Sequence, residues 1–475
     1  MKLDFGITDW YAFGLAIILI LLALRRAITT VFRFICPLAF QIWGFQTVYR
    51  IRKRVSQWAH TILFLSYLVS NLSCVLISAL DTAEAFSRAG VLAVINAVLL
   101  YVGPCLDFVA TVLHLRLRIQ KQIHATAGYM VAVLCTIHAA GAFSRYGWSA
   151  MDETHNLLAA LAILGVYLML IPMKALPAVF PYEFLLFTHH SMSAMIGYAI
   201  WCHIPADNHR TRVFLYGIAG IFVSSLAFQT AVTLYRNHFW FQSVSLSKNG
   251  SFDYIQVKLK LRKPVKVEPG QYINLWVPLG PISSIQSHPF TVANWSPEAQ
   301  RELKLFVEVN SGLTKTLRDR VELELTSNIG IFTGPYGRRI PVENYETVIL
   351  IATGLGVVAL TPYLQWLVHA ARMREVRIAP VHLVWQIPSW KQSHTVFDVI
   401  DFALALDERE DDLGDGKEAG VLRKNRPHAV KISMYYEEAE PLPPKVQLFI
   451  KDMKKKEEEM GERRESRYMN ASYLL

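Results

Sequence analysis

The sequence predicts a helical membrane bundle followed by a water-soluble module, first antiparallel β and then α/β. Three observations predict it. Only 18% of the 475 residues are charged, against about 25% in an ordinary soluble chain. Apolar runs recur through the first half, each near the ~20 residues that cross a bilayer as a helix. From about residue 241 the pattern changes to short alternating runs broken by Pro and Gly, the pattern of half-buried strands and turns.

Charge follows the same division. Residues 1–240 hold 17 Lys and Arg against 9 Asp and Glu, whereas residues 241–475 hold 31 against 29. Most of the net +10 thus lies between apolar runs, where bases mark membrane topology. Nucleic acid, which calls for a groove-facing basic patch, is not an expected partner. The composition also excludes a disordered, collagen-like or disulfide-scaffold chain. Cys36, Cys74, Cys105, Cys135 and Cys202 match no zinc or redox spacing and read as small apolar residues of membrane helices.

Seven stretches qualify as spans: 10–24 with some following residues, 57–80, 89–113, 123–146, 156–173, 184–204 and 212–235. The first is short before Arg25 and Arg26 and lacks a clear signal-peptide cleavage site. The 25–54 loop carries Arg25, Arg26, Arg33, Arg50, Arg52, Lys53 and Arg54; the 114–122 loop carries Arg116, Arg118 and Lys121; the 172–183 loop carries Lys174. The intervening gaps hold Asp81 and Glu84, Asp152 and Glu153, and Asp207. Basic loops face the cytosol. The N-terminus is therefore expected outside, and everything after about residue 236 in the cytosol. Asn-x-Ser triplets such as those at Asn71, Asn249 and Asn470 then fall in a span or in the cytosol and read as unglycosylated.

Ionisable residues inside spans mark function. Span four contains His124 and His138; span six contains His189, His190 and His203. His124 to His138 and His189 to His203 are both 14 residues, nearly four helical turns and about 21 Å along the axis. Each pair lies on one helix face. Both helices run from cytosol to outside, so His124 and His189 fall near the inner surface, and His138 and His203 near the outer one. Two stacked sites with two facing imidazoles each suit haem iron with both axial positions filled for electron transfer. Hydrogen bonding between helices is the other use of such histidines, and two pairs at identical spacing favour ligation. His190 can replace His189 at a spacing of 13, which leaves that position open between the two. His60, His114 and His155 sit near span ends, where a polar ring is ordinary.

The stretch His124-Ala125-Thr126-Ala127-Gly128-Tyr129 through His138, with Tyr182-Glu183-Phe184 leading to Thr188-His189-His190, resembles the ferric reductase and NADPH oxidase superfamily. The resemblance implies two b-type haems with His124, His138, His189 and His203 as axial ligands. It also implies a six-helix core over 57–235, with the first span an extra helix of the fungal ferric reductase kind.

In the second half, Tyr254–Leu261 alternates as a strand and Pro269-Gly270 turns into Tyr272-Ile273-Asn274-Leu275. Then comes Gln286-Ser287-His288-Pro289-Phe290-Thr291-Val292-Ala293-Asn294, a strand start whose proline lacks a ladder N–H. By themselves a His and a Thr there serve equally as strand-end caps. After Pro269-Gly270-Gln271-Tyr272, however, His288-Pro289-Phe290-Thr291 resembles the flavin barrel of the same superfamily, where it contacts the isoalloxazine and ribityl of FAD. Gly312-Leu313-Thr314 and Gly334-Pro335-Tyr336-Gly337 follow in order. The resemblance puts the first of these at the pyrophosphate, where a helix N-terminus offers backbone N–H groups. The implied FAD residues are His288, Pro289, Phe290, Thr291, Gly312, Thr314 and Gly334.

Residues 341–450 alternate strand and helix. Val348-Ile349-Leu350-Ile351-Ala352 is an apolar run suited to a buried parallel strand. It leads into Thr353-Gly354-Leu355-Gly356-Val357 and Pro362, where glycines let a dinucleotide phosphate approach. Gly-x-Gly alone is weak evidence. After a flavin barrel it resembles the superfamily's nicotinamide lobe, with Thr353, Gly354 and Gly356 at NADPH and Val381-His382-Leu383-Val384-Trp385 as the next strand. The resemblance is poor beyond about 430. The superfamily's Cys-Gly-Pro-like segment has no matching cysteine after Cys202, the last residues read Ala471-Ser472-Tyr473-Leu474-Leu475, residues 407–419 are acidic and loop-like, and Lys451–Arg467 is a charge run.

The expected fold is a membrane α-helical bundle of about seven spans with a six-helix haem core, then a cytosolic ferredoxin-NADP-reductase-like module of an antiparallel β-barrel FAD domain plus an α/β nicotinamide domain. Expected domains are 1–56 (first span and basic loop), 57–240 (haem domain), 241–340 (FAD barrel), 341–450 (divergent NADPH domain) and 451–475 (charged tail). The resemblance implies electron transfer from cytosolic NADPH through FAD and two haems to an external acceptor, chelated ferric iron, with cupric ion as a further candidate. It implies an integral protein of the plasma membrane, with the lipid bilayer, external ferric chelates and iron-transport proteins as partners. The alternatives are an NADPH oxidase producing superoxide and a haem membrane protein without catalysis. The extra first span and the lack of a calcium-binding loop point to metal reduction.

Overall fold

The computed structural model describes residues 6–35, 48–77, 79–170, 180, 182–248, 254–279, 287–310, 312–342, 345, 347–373, 381–387, 430–436 and 472–473. The chain forms two compact units, Met1–Thr230 and Ala231–Leu475. The side chains of residues 25–54, Lys174, the acidic stretch 407–419 and the run Lys451–Arg467 lie outside the described residues.

The first unit is helical: α1 (Ile7–Ile35), α2 (Val48–Leu76), α3 (Thr82–Ala97), α4 (Leu106–Val112), α5 (Leu117–Tyr146), α6 (Thr154–Leu170), α7 (Tyr182–His203) and α8 (His209–Arg236), whose last residues enter the second unit. Among the described residues, Ile7–Leu24, Leu117–Ser149 and His209–Arg236 are long and apolar enough to cross a membrane; Thr61–Leu76 and Thr154–Leu170 are shorter apolar helices. On α8, Val213, Tyr216, Val223 and Phe228 are exposed, as befits a helix whose outer face meets lipid.

The run 89–113, expected as one span, is broken. Helix α3 stops at Ala97 and α4 starts at Leu106. Between them Pro104 lacks the N–H a helix needs and disfavours helical backbone at Gly103. Gly103 also lies against the Ser225 side chain of α8, where a Cβ would collide.

A buried polar ring ties α1, α2 and α3. Asn96 Oδ1 accepts from Tyr11 Oη (2.9 Å) and Tyr67 Oη (2.5 Å), Asn96 Nδ2 donates to Asn71 Oδ1 (2.7 Å), and Asn71 Nδ2 donates to Tyr11 Oη (2.9 Å). Every member meets a partner, the condition under which polar groups are buried without penalty. At its N-terminal end α1 is also ion-paired, Asp9 to Arg210 of α8.

The second unit begins with β1 (Gln242–Lys248), β2 (Tyr254–Val265), β3 (Tyr272–Trp276), β4 (His288–Thr291), β5 (Gln300–Glu308), α9 (Leu313–Glu322) and β6 (Ser327–Tyr336). The six strands are antiparallel in the order β4-β3-β6-β1-β2-β5. Just after β4, the Ala293 N–H bonds the Lys304 carbonyl of β5 (2.8 Å), bringing the two ends of the sheet together as a barrel. Its interior is packed by Val244, Val257, Leu259, Ile273, Leu275, Leu303, Leu305 and Phe332.

Next, β7 (Val348–Thr353), a 3-10 turn (Gly354–Ala359), α10 (Thr361–Arg372), β8 (Val381–Ile387), β9 (Val430–Tyr436) and β10 (Ser472–Tyr473) form a parallel sheet in the order β10-β9-β8-β7. Leu364, Leu367 and Val368 of α10 pack against Val348, Leu350, Leu383 and Ile432. Strand β7 differs from expectation: Val348, Leu350 and Ala352 are buried, but Ile349 and Ile351 are 60% and 72% exposed. Among the described residues only the α10 face of the sheet is covered.

Candidate functional site

Helices α5 and α7 bring the predicted histidines together in the predicted pairs. The ring centroids of His124 and His189 are 6.0 Å apart, those of His138 and His203 6.1 Å. His189 is thus a ring facing His124, and His190 lies beside it, 5.9 Å from His189. An iron between two imidazoles adds two metal–nitrogen bonds of about 2 Å to the reach of each ring, about 6 Å between centroids in all. Both pairs have that spacing. His124, His189 and His203 each have a buried Nδ1 without a hydrogen-bond partner. An unmet buried polar atom costs about 1–3 kcal/mol, so three in one set of paired rings mark groups arranged for something other than packing. The four residues fit haem.

His138 is held differently. Its Nδ1 is 2.9 Å from the Phe86 carbonyl oxygen of α3. A carbonyl only accepts, so Nδ1 carries the proton and Nε2 is left with its lone pair, the usual arrangement behind a metal-ligating histidine. Gly90, one turn further along α3, lies under the ring: a Cβ there would sit 2.8 Å from Nδ1. Sequence reasoning missed Phe86 and Gly90, because their role depends on how α3 is rotated against α5.

It also passed over His155, at the start of α6. That ring is 6.0 Å from His203; its side chain is 46% exposed, with Nδ1 4.0 Å from a Glu153 carboxylate oxygen. The 3-10 turn Gly147–Met151 returns the chain to the bundle end beside His203. His60 lies among the undescribed side chains.

In the second unit, His288-Pro289-Phe290-Thr291 is strand β4, paired only with β3 in the sheet order. An edge tolerates Pro289, whose nitrogen donates nothing. Phe290 packs on the barrel core, while His288 and Thr291 are half-buried. Tyr272 of β3 stands between Thr291 of β4 and Tyr336 of β6. The His-Pro-Phe-Thr and Gly-Pro-Tyr-Gly segments are therefore one strand apart, about 10 Å at ordinary strand spacing. Gly334 has φ +106°, and a Cβ on it would meet the Tyr336 nitrogen at 3.1 Å and the Tyr272 oxygen at 3.2 Å; only glycine suits that turn. Gly312 precedes α9, whose first turn has no side-chain cap and so presents backbone N–H groups of the kind that bind phosphate. Thr314 Oγ1 accepts from the Asn310 N–H (2.9 Å). These features fit a dinucleotide with an anionic pyrophosphate.

Thr353 ends β7, Gly354 turns the chain with φ +50°, and its carbonyl accepts from Trp385 Nε1 (2.8 Å). A Cβ at Gly356 would meet nothing within 4 Å, so the approach to this turn is open. The following helix is bonded to the segment after β4. Thr361 Oγ1 donates to the Ala293 carbonyl (2.8 Å), and Gln365 Oε1 accepts from the Trp295 N–H (2.6 Å).

Residues 239–340 match a family model described as an FAD-binding domain. Ferric reductase transmembrane component 3 of Saccharomyces cerevisiae is 33% identical over 252 residues, 49% of this chain and 33% of that protein. Ferric/cupric reductase transmembrane component 2 of the same yeast is 33% identical over 183 residues, 37% of this chain and 24% of that protein. The resemblance is thus to the ferric reductase superfamily of the fungal type, and the matched stretches span a third or less of these relatives. The flavohaem-like FAD/NAD-binding domain of the nitric oxide dioxygenase of Vibrio cholerae superposes at a TM-score of 0.30 and 16% identity, over 42% of this chain and 76% of that one.

Proposed function

We propose that this protein is a membrane oxidoreductase carrying electrons from cytosolic NADPH to an external acceptor, chelated ferric iron. The observation that carries the reading is the double histidine pair on α5 and α7, about 6 Å across at each level, in one chain with an FAD-binding domain match. His124 with His189, and His138 with His203, would hold two b-type haems. His288, Pro289, Phe290, Thr291, Gly312, Thr314 and Gly334 would hold FAD, and Thr353, Gly354 and Gly356 NADPH. When bound, FAD joins a two-electron nicotinamide to one-electron haem carriers.

The protein's own part is placement. Two imidazoles at each level would hold a haem iron and leave it no open position, so the acceptor would be met at the outer end of the bundle. The Phe86 carbonyl orients His138 through its Nδ1. The 14-residue repeat separates the two levels by about 21 Å, which one site could not bridge across a hydrocarbon core of about 30 Å. The names of the yeast relatives, ferric and ferric/cupric reductase, support a metal as acceptor. In this reading the protein spans the plasma membrane with its second unit in the cytosol, and it works beside iron-transport proteins.

The test is made on the purified full chain. Dithionite should give the absorbance of reduced b-type haem, flavin should be released on denaturation, and NADPH should drive ferrous product from a ferric chelate. Absence of the haem absorbance overturns the reading. Superoxide in place of ferrous product would reassign the acceptor to dioxygen.

A further inference from the structure

The end of α8 is bonded into the barrel along one edge of β6. Strand β1 accompanies β6 only as far as the pair Gln242↔Gly330. Beyond it, one side of β6 stays paired with β3 through Ile331–Tyr336, and the other side has lost its strand. Asn237 and Arg236 take that edge. Asn237 Nδ2 donates to the Phe332 carbonyl (2.7 Å) and Oδ1 accepts from the Phe332 N–H (3.2 Å). The side-chain amide thus offers the same donor and acceptor as a neighbouring strand. Two residues on, where an extended chain presents the same edge again, the Arg236 guanidinium donates to the Gly334 carbonyl.

The clamp is itself held. Asn237 and Gln242 are only 2% and 1% exposed. Gln242 Nε2 donates to the Asn237 carbonyl (2.6 Å), and its Oε1 accepts from the Arg262 N–H of β2 (2.8 Å). The Lys263 ammonium sits 3.1 Å from the centroid of the Tyr235 ring. His238 and Phe239, which turn the chain between the two amides, have φ +55° and +58°. Side-chain-bearing residues rarely adopt that conformation, and it persists where the surroundings impose it.

We propose that Asn237 and Arg236 are positioning residues of the flavin site. They hold Phe332–Gly334 as β1 would have done, and this segment leads directly into the Gly334-Pro335-Tyr336-Gly337 turn. Through Tyr272, that turn is in register with Thr291 of β4. The role is local: the barrel core is filled by other residues, and the clamp touches only the length of β6 that carries the turn. The inference rests on the flavin reading above.

FAD affinity of the full chain in detergent tests it, by flavin fluorescence titration, together with the visible circular dichroism of bound flavin. Asn237→Ala should weaken FAD about tenfold, the equivalent of one lost buried hydrogen-bond pair, and change the flavin dichroism. Arg236→Ala should do the same, and Arg236→Lys should recover most of the affinity. Val257→Ala, in the β2 core away from β6, should lower the melting temperature and leave FAD affinity unchanged. The proposal falls if Asn237→Ala, or Arg236→Ala where the first variant does not fold, binds FAD as the parent does. It also falls if Val257→Ala weakens FAD as much as they do. A parent chain that takes up no FAD overturns the flavin reading and this inference with it.

Discussion

His203 has two imidazole neighbours at nearly one distance, His138 at 6.1 Å and His155 at 6.0 Å. Only His138 has its Nδ1 met by a carbonyl oxygen, that of Phe86, and only His138 has a glycine under its ring. These two features make His138 the oriented partner. Gly90→Val would drive carbon atoms into a ring whose Nδ1 is 2.8 Å from the Cβ position, and it is expected to halve the haem bound per chain. His155→Ala is expected to leave both haems in place. Reduced-haem absorbance per mole of protein reads both variants, and loss of one haem in His155→Ala would transfer the outer assignment to that residue. The 14-residue spacing was legible because helical periodicity fixes which residues share a face. The nearness of His155 was not, since it depends on the path of the Gly147–Met151 turn, and no local pattern encodes that.

Among the elements, a hydrophobic run revealed its presence better than its surroundings. Val348–Ala352 reads as a strand buried on both faces, yet Ile349 and Ile351 are exposed, because the run does not say how many faces find a cover. Residues 89–113 read as one span although Gly103-Pro104 divides them. Here the breaker was visible in the sequence and the apolar count outweighed it. The alternation of 254–261 and the edge proline of β4 were legible from local chemistry. The adjacency of β4, β3 and β6 was not, since sheet order follows from long-range register. The ring joining α1 to α2 and α3 also escaped a reading by hydropathy, although four polar groups meet there. Replacing Asn96 by Leu would leave two tyrosine hydroxyls and the Asn71 carbonyl oxygen short of a partner. The expected cost is about 1–3 kcal/mol, seen as a lower melting temperature in detergent. An unchanged melting temperature would mean that α1 is anchored by packing and its Asp9–Arg210 ion pair alone.

At the scale of the whole molecule, the change in charge balance and the division of the chain lie about ten residues apart. The sparsely charged half gives way to the balanced half near residue 240, and the compact units part at Thr230 and Ala231. The small offset has a cause: the last turn of α8 is bonded to the barrel through Arg236 and Asn237. Basic loops alternate with acidic gaps along the first half, and the proposed orientation, with the second unit in the cytosol, rests on that alternation. Under the proposed function, electrons would then travel one way, from the nucleotide turn after β7 on the cytosolic side to His138 and His203 at the outer level. The prediction is asymmetric. In sealed right-side-out vesicles containing the protein, NADPH loaded inside should reduce a ferric chelate outside, and NADPH added outside should not. Permeabilising the membrane should let external NADPH work. Equal rates from the two sides before permeabilisation would contradict the charge-derived orientation, even with both haems present.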